Sequence, residues 1–294
     1  MKERLIVAAI SVPGLFIVLF FLPAYAFAIL IALLCAVCAY ELQAAADGSG
    51  NEGLGKPRTR DTDSKSDRAN PRVSIYAVIA AVLIPVGAFF DISWLVFPAV
   101  TLVLMSLVFA EAFVVFGTER QISFTRILIA LFGGALIPLM LSTLISLRNM
   151  PEGRLFALLP IISAFITDAG AYFGGVLFGK KRGFMMLSPT KTVEGFIGGF
   201  VLGMVSIIIY GIILIFTTNH GVIFWVLALY GLIGAAFTEL GDLAFSLVKR
   251  ECGIKDFGHL LPGHGGLLDR FDSMVFAAPG IYLLIALIPA IIVS

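Results

Sequence analysis

Between Ser246 and Asp272 the chain reads SLVKRECGIKDFGHLLPGHGGLLDRFD, a stretch with four cations, four carboxylates and two of the three histidines. Lys249, Arg250, Lys255 and Arg270 alternate there with Glu251, Asp256, Asp269 and Asp272, and His259 and His264 stand among them. Gly253, Gly258, Gly263, Gly265, Gly266 and Pro262 exclude one continuous helix and let main-chain N–H groups come close to a ligand. Cations, carboxylates and open backbone in one place are what a polyanion and its divalent cation need together. Zinc is not favoured, because neither a cysteine nor a third histidine stands at a suitable spacing from His259 and His264; His264 reads instead as a hydrogen-bond donor to a phosphate or base. His220, in the short segment TTNHG, reads as solvated.

Three further groups of polar residues interrupt apolar sequence. In TELGDLAFSLVKR, Glu239 and Asp242 are three apart, and Ser246 and Lys249 follow Asp242 at four and seven, so one helical face can carry them all. Asp269 and Asp272 share the same helical spacing, and carboxylates from the two places could converge on a hard cation. In ITDAGAYFGG, Thr167 and Asp168 break an apolar run, with Tyr172 on the face of Asp168. An intramembrane carboxylate is costly and marks a functional site by default; the plainer alternative is that Asp168 pairs with a cation on a neighbouring helix. Gly170, Gly174 and Gly175 are read as permitting close helix packing. In GKKRGFMMLSPTKTVEG, Lys180, Lys181, Arg182 and Lys191 accompany the hydroxyls of Ser188, Thr190 and Thr192. Thr192 as an N-cap and Glu194 in the first turn would open a helix whose free N–H groups suit phosphate; the alternative is a cytoplasmic anchor with an ordinary cap.

These residues must be positioned by membrane helices. The 294 residues are 60% hydrophobic and only 13% charged, with mean hydropathy +1.03, far from the roughly 25% charge of soluble domains. Apolar runs cover about 5–22, 24–40, 73–90, 95–116, 127–147, 155–177, 193–216, 221–247 and 274–293. Each is close to the length that crosses a bilayer as a helix, which predicts an all-α polytopic bundle of about nine spans. The first is read as a retained helix and not a cleaved leader. With the N-terminus in the cytoplasm, that side receives 18 of the 20 Lys and Arg, and only Arg148 and Arg154 lie opposite. Positive charge stays on the cytoplasmic side, so the termini are expected N-in and C-out, with loops 178–192 and 248–273 both cytoplasmic. Loop 41–72 is polar, has too few apolar residues for a core, and is expected to be disordered. Glu41 and Glu111 end or interrupt apolar runs and are placed at the membrane interface. Cys35 and Cys38 read as packing residues, and no disulfide framework is suggested. The expected organisation is residues 1–150 as N-terminal spans and 151–294 as the catalytic part.

Ser246, Lys249, Arg250, Lys255, Asp256, Gly258, Leu261, Pro262, Gly263, His264, Gly265, Gly266, Asp269, Arg270 and Asp272, taken in order, resemble the signature of the phosphatidate cytidylyltransferases, also called CDP-diacylglycerol synthases. SPTKTVEG, Ser188 to Gly195, resembles the second recurrent block of that family. The resemblance is specific over about the last 130 residues and general before them. It implies that CTP and phosphatidate give CDP-diacylglycerol and pyrophosphate at a bacterial-type inner membrane, on its cytoplasmic side, with Mg²⁺ and with or without a second cation.

On this reading Asp242 and Asp269 are the principal metal ligands, and Asp256 and Asp272 are further candidates. Lys249, Arg250, Lys255, His264 and Arg270 serve the phosphates of CTP and the departing pyrophosphate. Ser188, Thr190, Lys191, Thr192 and Glu194, with Gly263, Gly265 and Gly266, bind lipid phosphate or triphosphate, and Asp168 completes the site from within the bilayer. Membrane lipid is a partner, nucleic acid is not, and a homodimer is expected from the resemblance. Two other readings stand beside this one: a CTP-dependent kinase of polyprenol or phytol type, and an ion-coupled transporter using Asp168, Glu239 and Asp242.

Overall fold

In hydrocarbon a chain must satisfy its main-chain hydrogen bonds internally, and the long apolar runs of this protein do so as helices. The computed structural model describes residues 14–46, 71–118, 120–180, 191–218, 220–260 and 265–292. Among them, eight helices are long and apolar enough to cross a membrane, and the chain is an all-α integral membrane protein. The helices are α1 (Ala24–Ala46), α2 (Pro71–Phe89), α3 (Ser93–Val114), α4 (Phe124–Leu131), α5 (Ile137–Asn149), α6 (Gly153–Phe178), α7 (Val193–Thr217), α8 (Phe224–Glu251) and α9 (Leu268–Leu287), with α4 and α5 joined through a π-turn, Phe132–Leu136, into one span. Residues 14–20 are also helical; the rest of the first expected run, and most of loop 41–72, lie outside the described residues.

Three boundaries differ from expectation in ways that matter for the site. Helix α1 continues to Ala46, so Glu41 lies inside it. Helix α8 runs through Lys249 and Arg250 to Glu251, and α9 begins at Leu268, so Asp269 and Asp272 occupy its first turns. The segment between these helices is therefore 252–267. The apolar ends at 221–222 and 291–292 are not helical but pair as a short antiparallel ribbon, β1 (Gly221–Val222) with β2 (Ile291–Ile292).

The chain packs as two compact units, Met1–Ser146 with Val248–Phe271, and Leu147–Leu247 with Asp272–Ser294. In the first, α2 supplies Val73, Ala77, Ala80 and Ile84 to a core shared with Leu104 and Val108 of α3 and with Ile127 and Ala130 of α4. Gly134 in the π-turn sits so close to α2 that an added Cβ would lie 2.9 Å from the Ala77 Cα. In the second, α6 and α7 meet along small residues. A Cβ at Gly170 would lie 2.8 Å from the Gly198 carbonyl oxygen, and one at Gly195 2.6 Å from that of Ala171. Without a hydrophobic force between helices in lipid, such close backbone approach is a main source of attraction, and Gly170 and Gly174 serve the packing expected of them. Large apolar side chains such as Trp94, Phe113, Phe216 and Trp225 are exposed, which suits surfaces facing acyl chains.

Candidate active site

In the first unit the signature stretch folds around Asp269. Its position in the opening turn of α9 puts a carboxylate where a helix presents unpaired N–H groups and partial positive charge. Oδ2 accepts the Phe257 N–H at 2.7 Å and the Gly266 N–H at 2.9 Å, and Oδ1 accepts from Lys249 Nζ at 3.0 Å. The Lys249 ammonium also lies 5.5 Å from the centre of the Phe257 ring, within cation–π range. Gly265 has φ of +86°, and a Cβ there would lie 3.0 Å from Asp269 Oδ2 and 3.2 Å from the Asp256 Cβ, so both conformation and space call for glycine. Arg250, Lys255, His259 and Arg270 are exposed, and Asp256 is half-buried. Gly263 and His264 lie outside the described residues.

Glu41 belongs to this assembly, which its sequence position did not reveal. It is buried, and its two oxygens accept the N–H groups of Leu267 and Leu268 at 2.9 and 2.7 Å. Glu111, the other acid expected at an interface, accepts from Arg72 and from the Tyr76 hydroxyl.

The second unit gathers a different set. Lys191 Nζ is bracketed by Glu239 Oε2 and Asp242 Oδ2, each at 2.6 Å. Burial pulls its ammonium down, the two carboxylates push it up by more, and its pKa ends above the ordinary lysine value. Thr192 caps α7 as expected, accepting from the Gly195 N–H at 3.0 Å. Asp168 accepts from the Ser273 hydroxyl at 3.1 Å and is close enough to Asp272, Asp242 and Glu239 to feel their charges. Its partner among the described residues is thus a hydroxyl and not a neighbouring cation. Asp272 is buried and accepts the Ser273 N–H at 2.8 Å. Helices α8 and α9 approach closely here, because a Cβ on Gly241 would lie 2.8 Å from the Asp272 carbonyl oxygen. Glu194 opens α7, while Ser188 and Thr190 lie outside the described residues.

The donor set of the second unit is all hard oxygen, the type that magnesium takes. Glu239 Oε1 is buried with no hydrogen-bond partner, and the Lys191 bracket demonstrates that a positive charge is stabilised at this place. The residue types therefore fit a hard cation, although among the described residues no three acidic, histidine or cysteine side chains already form a metal nest. Asp242 and Asp269, expected at one ion, belong to different units, and that expectation rests on the sequence pattern alone. Ser273 was missed because a serine beside an aspartate carries no signal of its own.

Residues 2–288 match the model of a family described as the Cytidylyltransferase family. The chain is 42% identical over 128 residues to a phosphatidate cytidylyltransferase of Staphylococcus haemolyticus, covering 44% of this chain and 48% of that protein. It is 40% identical over 144 residues to a protein of the same name from Bacillus subtilis, covering 49% and 52%, respectively. With the Staphylococcus aureus protein of that name the identity is 41% over 128 residues, covering 44% and 48%. The aligned stretch spans about half the length of the curated relatives it matches.

Proposed function

The chain belongs to the cytidylyltransferase family, and from that premise we propose that it joins CTP to phosphatidate, releasing pyrophosphate and leaving CDP-diacylglycerol in the bilayer. The observation that carries this reading is the knot in the first unit. Lys249, Phe257, Gly266 and Asp269 close into one hydrogen-bonded assembly, while Arg250, Lys255 and Arg270 of the same stretch stay exposed. A buried, fully bonded support with open cations beside it suits a soluble polyanion.

The phosphate of phosphatidate is already an anionic nucleophile and needs no strong base. One of its oxygens attacks the α-phosphorus of CTP. The new P–O bond forms as the bond to the α,β-bridging oxygen breaks, and pyrophosphate leaves with that electron pair. Acceleration then comes from holding the three groups in line and neutralising their charge. Arg250, Lys255 and Arg270 bind the triphosphate and the departing pyrophosphate, and Lys249 is oriented by Asp269 for the same work. Lys191 and Thr192, with Ser188 and Thr190, bind lipid phosphate or triphosphate. Magnesium, when bound, supplies further positive charge to the phosphates; Asp242 and Asp272 would hold it, with Asp168 beside them. The N-in, C-out orientation and a site at the cytoplasmic face are part of the proposal, supported by the skew of Lys and Arg, as is a homodimer, on the resemblance.

Purified protein given phosphatidate, Mg²⁺ and CTP labelled in either the α- or the γ-phosphate tests the reaction. Cytidylyl transfer carries the α-label into lipid and the γ-label into free pyrophosphate. A γ-label in the lipid would mark a kinase and overturn the proposal.

A further inference from the structure

Glu41 is a buried acid for which the proposed chemistry has no use. It is 5% exposed and stands 226 residues from the first of its two hydrogen-bond partners. Those partners, the N–H groups of Leu267 and Leu268, belong to the start of α9, where no acceptor exists inside the helix. A carboxylate satisfies both donors at once and answers the positive end of the helix. Two glycines of the signature are fitted to it: a Cβ at Gly258 would lie 2.7 Å from Oε1, and one at Gly266 would lie 2.6 Å from Oε2. The next N–H upstream, that of Gly266, is the one taken by Asp269. Three consecutive N–H groups, 266 to 268, are thereby divided between two carboxylates.

We infer that Glu41 is a positioning residue for the reaction: through the N–H groups of Leu267 and Leu268 it sets the first turn of α9, and so the placement of Asp269 and of the Lys249 that Asp269 holds. Its effect on turnover rests on the cytidylyl-transfer reading; its hold on the turn does not. Glutamine has nearly the same volume but offers one acceptor and an NH₂ group, so one of the two N–H groups would face a donor. Aspartate would keep the charge and fall one methylene short.

The test is Glu41→Gln in full-length protein in detergent, with Glu111→Gln as a control for loss of a membrane carboxylate. Hydrogen exchange read by mass spectrometry over 265–270 should quicken about tenfold in E41Q and stay unchanged over 153–178, because only the local opening becomes easier. At a temperature where both proteins are folded, kcat should fall about 10- to 100-fold with KM for CTP and phosphatidate within about threefold, the scale of losing a charged acceptor from a transition-state arrangement. Gly258→Ala, whose Cβ would lie 2.7 Å from Glu41 Oε1, should reproduce the defect and add little to it in the E41Q background, since both act through one contact; it also replaces E41Q in both measurements if that variant does not fold. Unchanged exchange overturns the inference. Faster exchange with kcat within twofold of wild type would leave Glu41 a structural cap only, and a fall in kcat without faster exchange would mean that these amides do not transmit the effect. Wild-type protein that makes no CDP-diacylglycerol would refute the function, and exchange at 265–270 would still decide whether Glu41 holds the turn.

Discussion

Replacing Asp269 by asparagine tests the signature knot most directly. The aspartate side chain is 2% exposed and its partner Lys249 13%, so solvent screens the pair little. Asparagine can still accept the Phe257 and Gly266 N–H groups with its one oxygen, and it then turns an NH₂ group toward the Lys249 ammonium. Stripping one partner from a buried ion pair costs about 3–5 kcal/mol. The lower end applies here, because the Phe257 ring still lies 5.5 Å from the ammonium. That loss is one of folding stability, and about 3 kcal/mol should lower the melting temperature by roughly 5–10 °C, while Lys249, no longer held by Asp269, serves the phosphates less well and kcat/KM falls with it. The assay is lipid-soluble label from α-labelled CTP at saturating and limiting Mg²⁺, with thermal unfolding in detergent alongside it. Lys249→Met should cost a similar amount, and the double variant should cost clearly less than the two single losses combined, by about 0.5–3 kcal/mol of coupling. Retention by D269N of more than half the wild-type kcat/KM at limiting Mg²⁺, with unchanged unfolding, would refute the knot as a catalytic support.

Lys191 sits between two carboxylates and its pKa is raised above the ordinary 10.5, so its contribution to stability is fully present below that value and is lost as pH climbs through the higher folded value. The stability gap between wild type and Lys191→Met should therefore be flat from neutral pH upward and shrink only in strong alkali; a gap that closes near neutrality, followed by unfolding in detergent, would contradict the double bracket by Glu239 and Asp242. Gly195→Ala would set a Cβ 2.6 Å from the Ala171 carbonyl oxygen, and overpacking of that kind costs about 1–3 kcal/mol. Its melting temperature should drop by several degrees while Gly14→Ala, where nothing lies within 4 Å, stays at wild type; equal values for the two would mean that the α6–α7 contact is looser than described.

Much of this protein is written locally. Runs of twenty or so apolar residues leave the backbone no choice but helix, and Gly170 and Gly174 mark α6 as a helix that another can approach closely. Thr192 is legible as a cap because its acceptor serves an N–H only three residues away, and the signature at 246–272 is legible because its members are neighbours in the chain. The ends of the helices were less clear. Lys249 and Arg250 look like loop residues by hydropathy, yet α8 carries them one turn further, since a last helical turn tolerates cations.

Partnerships across the chain were a different matter. Glu41 at the end of an apolar run reveals a depth in the membrane and nothing about what it meets; only packing brings it to amides 226 and 227 residues away. The same holds for Lys191 with Glu239, 48 residues apart, and for Asp168 with Ser273, 105 apart. Composition and period decide helix and bilayer because those depend on each segment alone, whereas which buried charge answers which is a property of the packed chain, where every desolvated group must find a partner that no local pattern names.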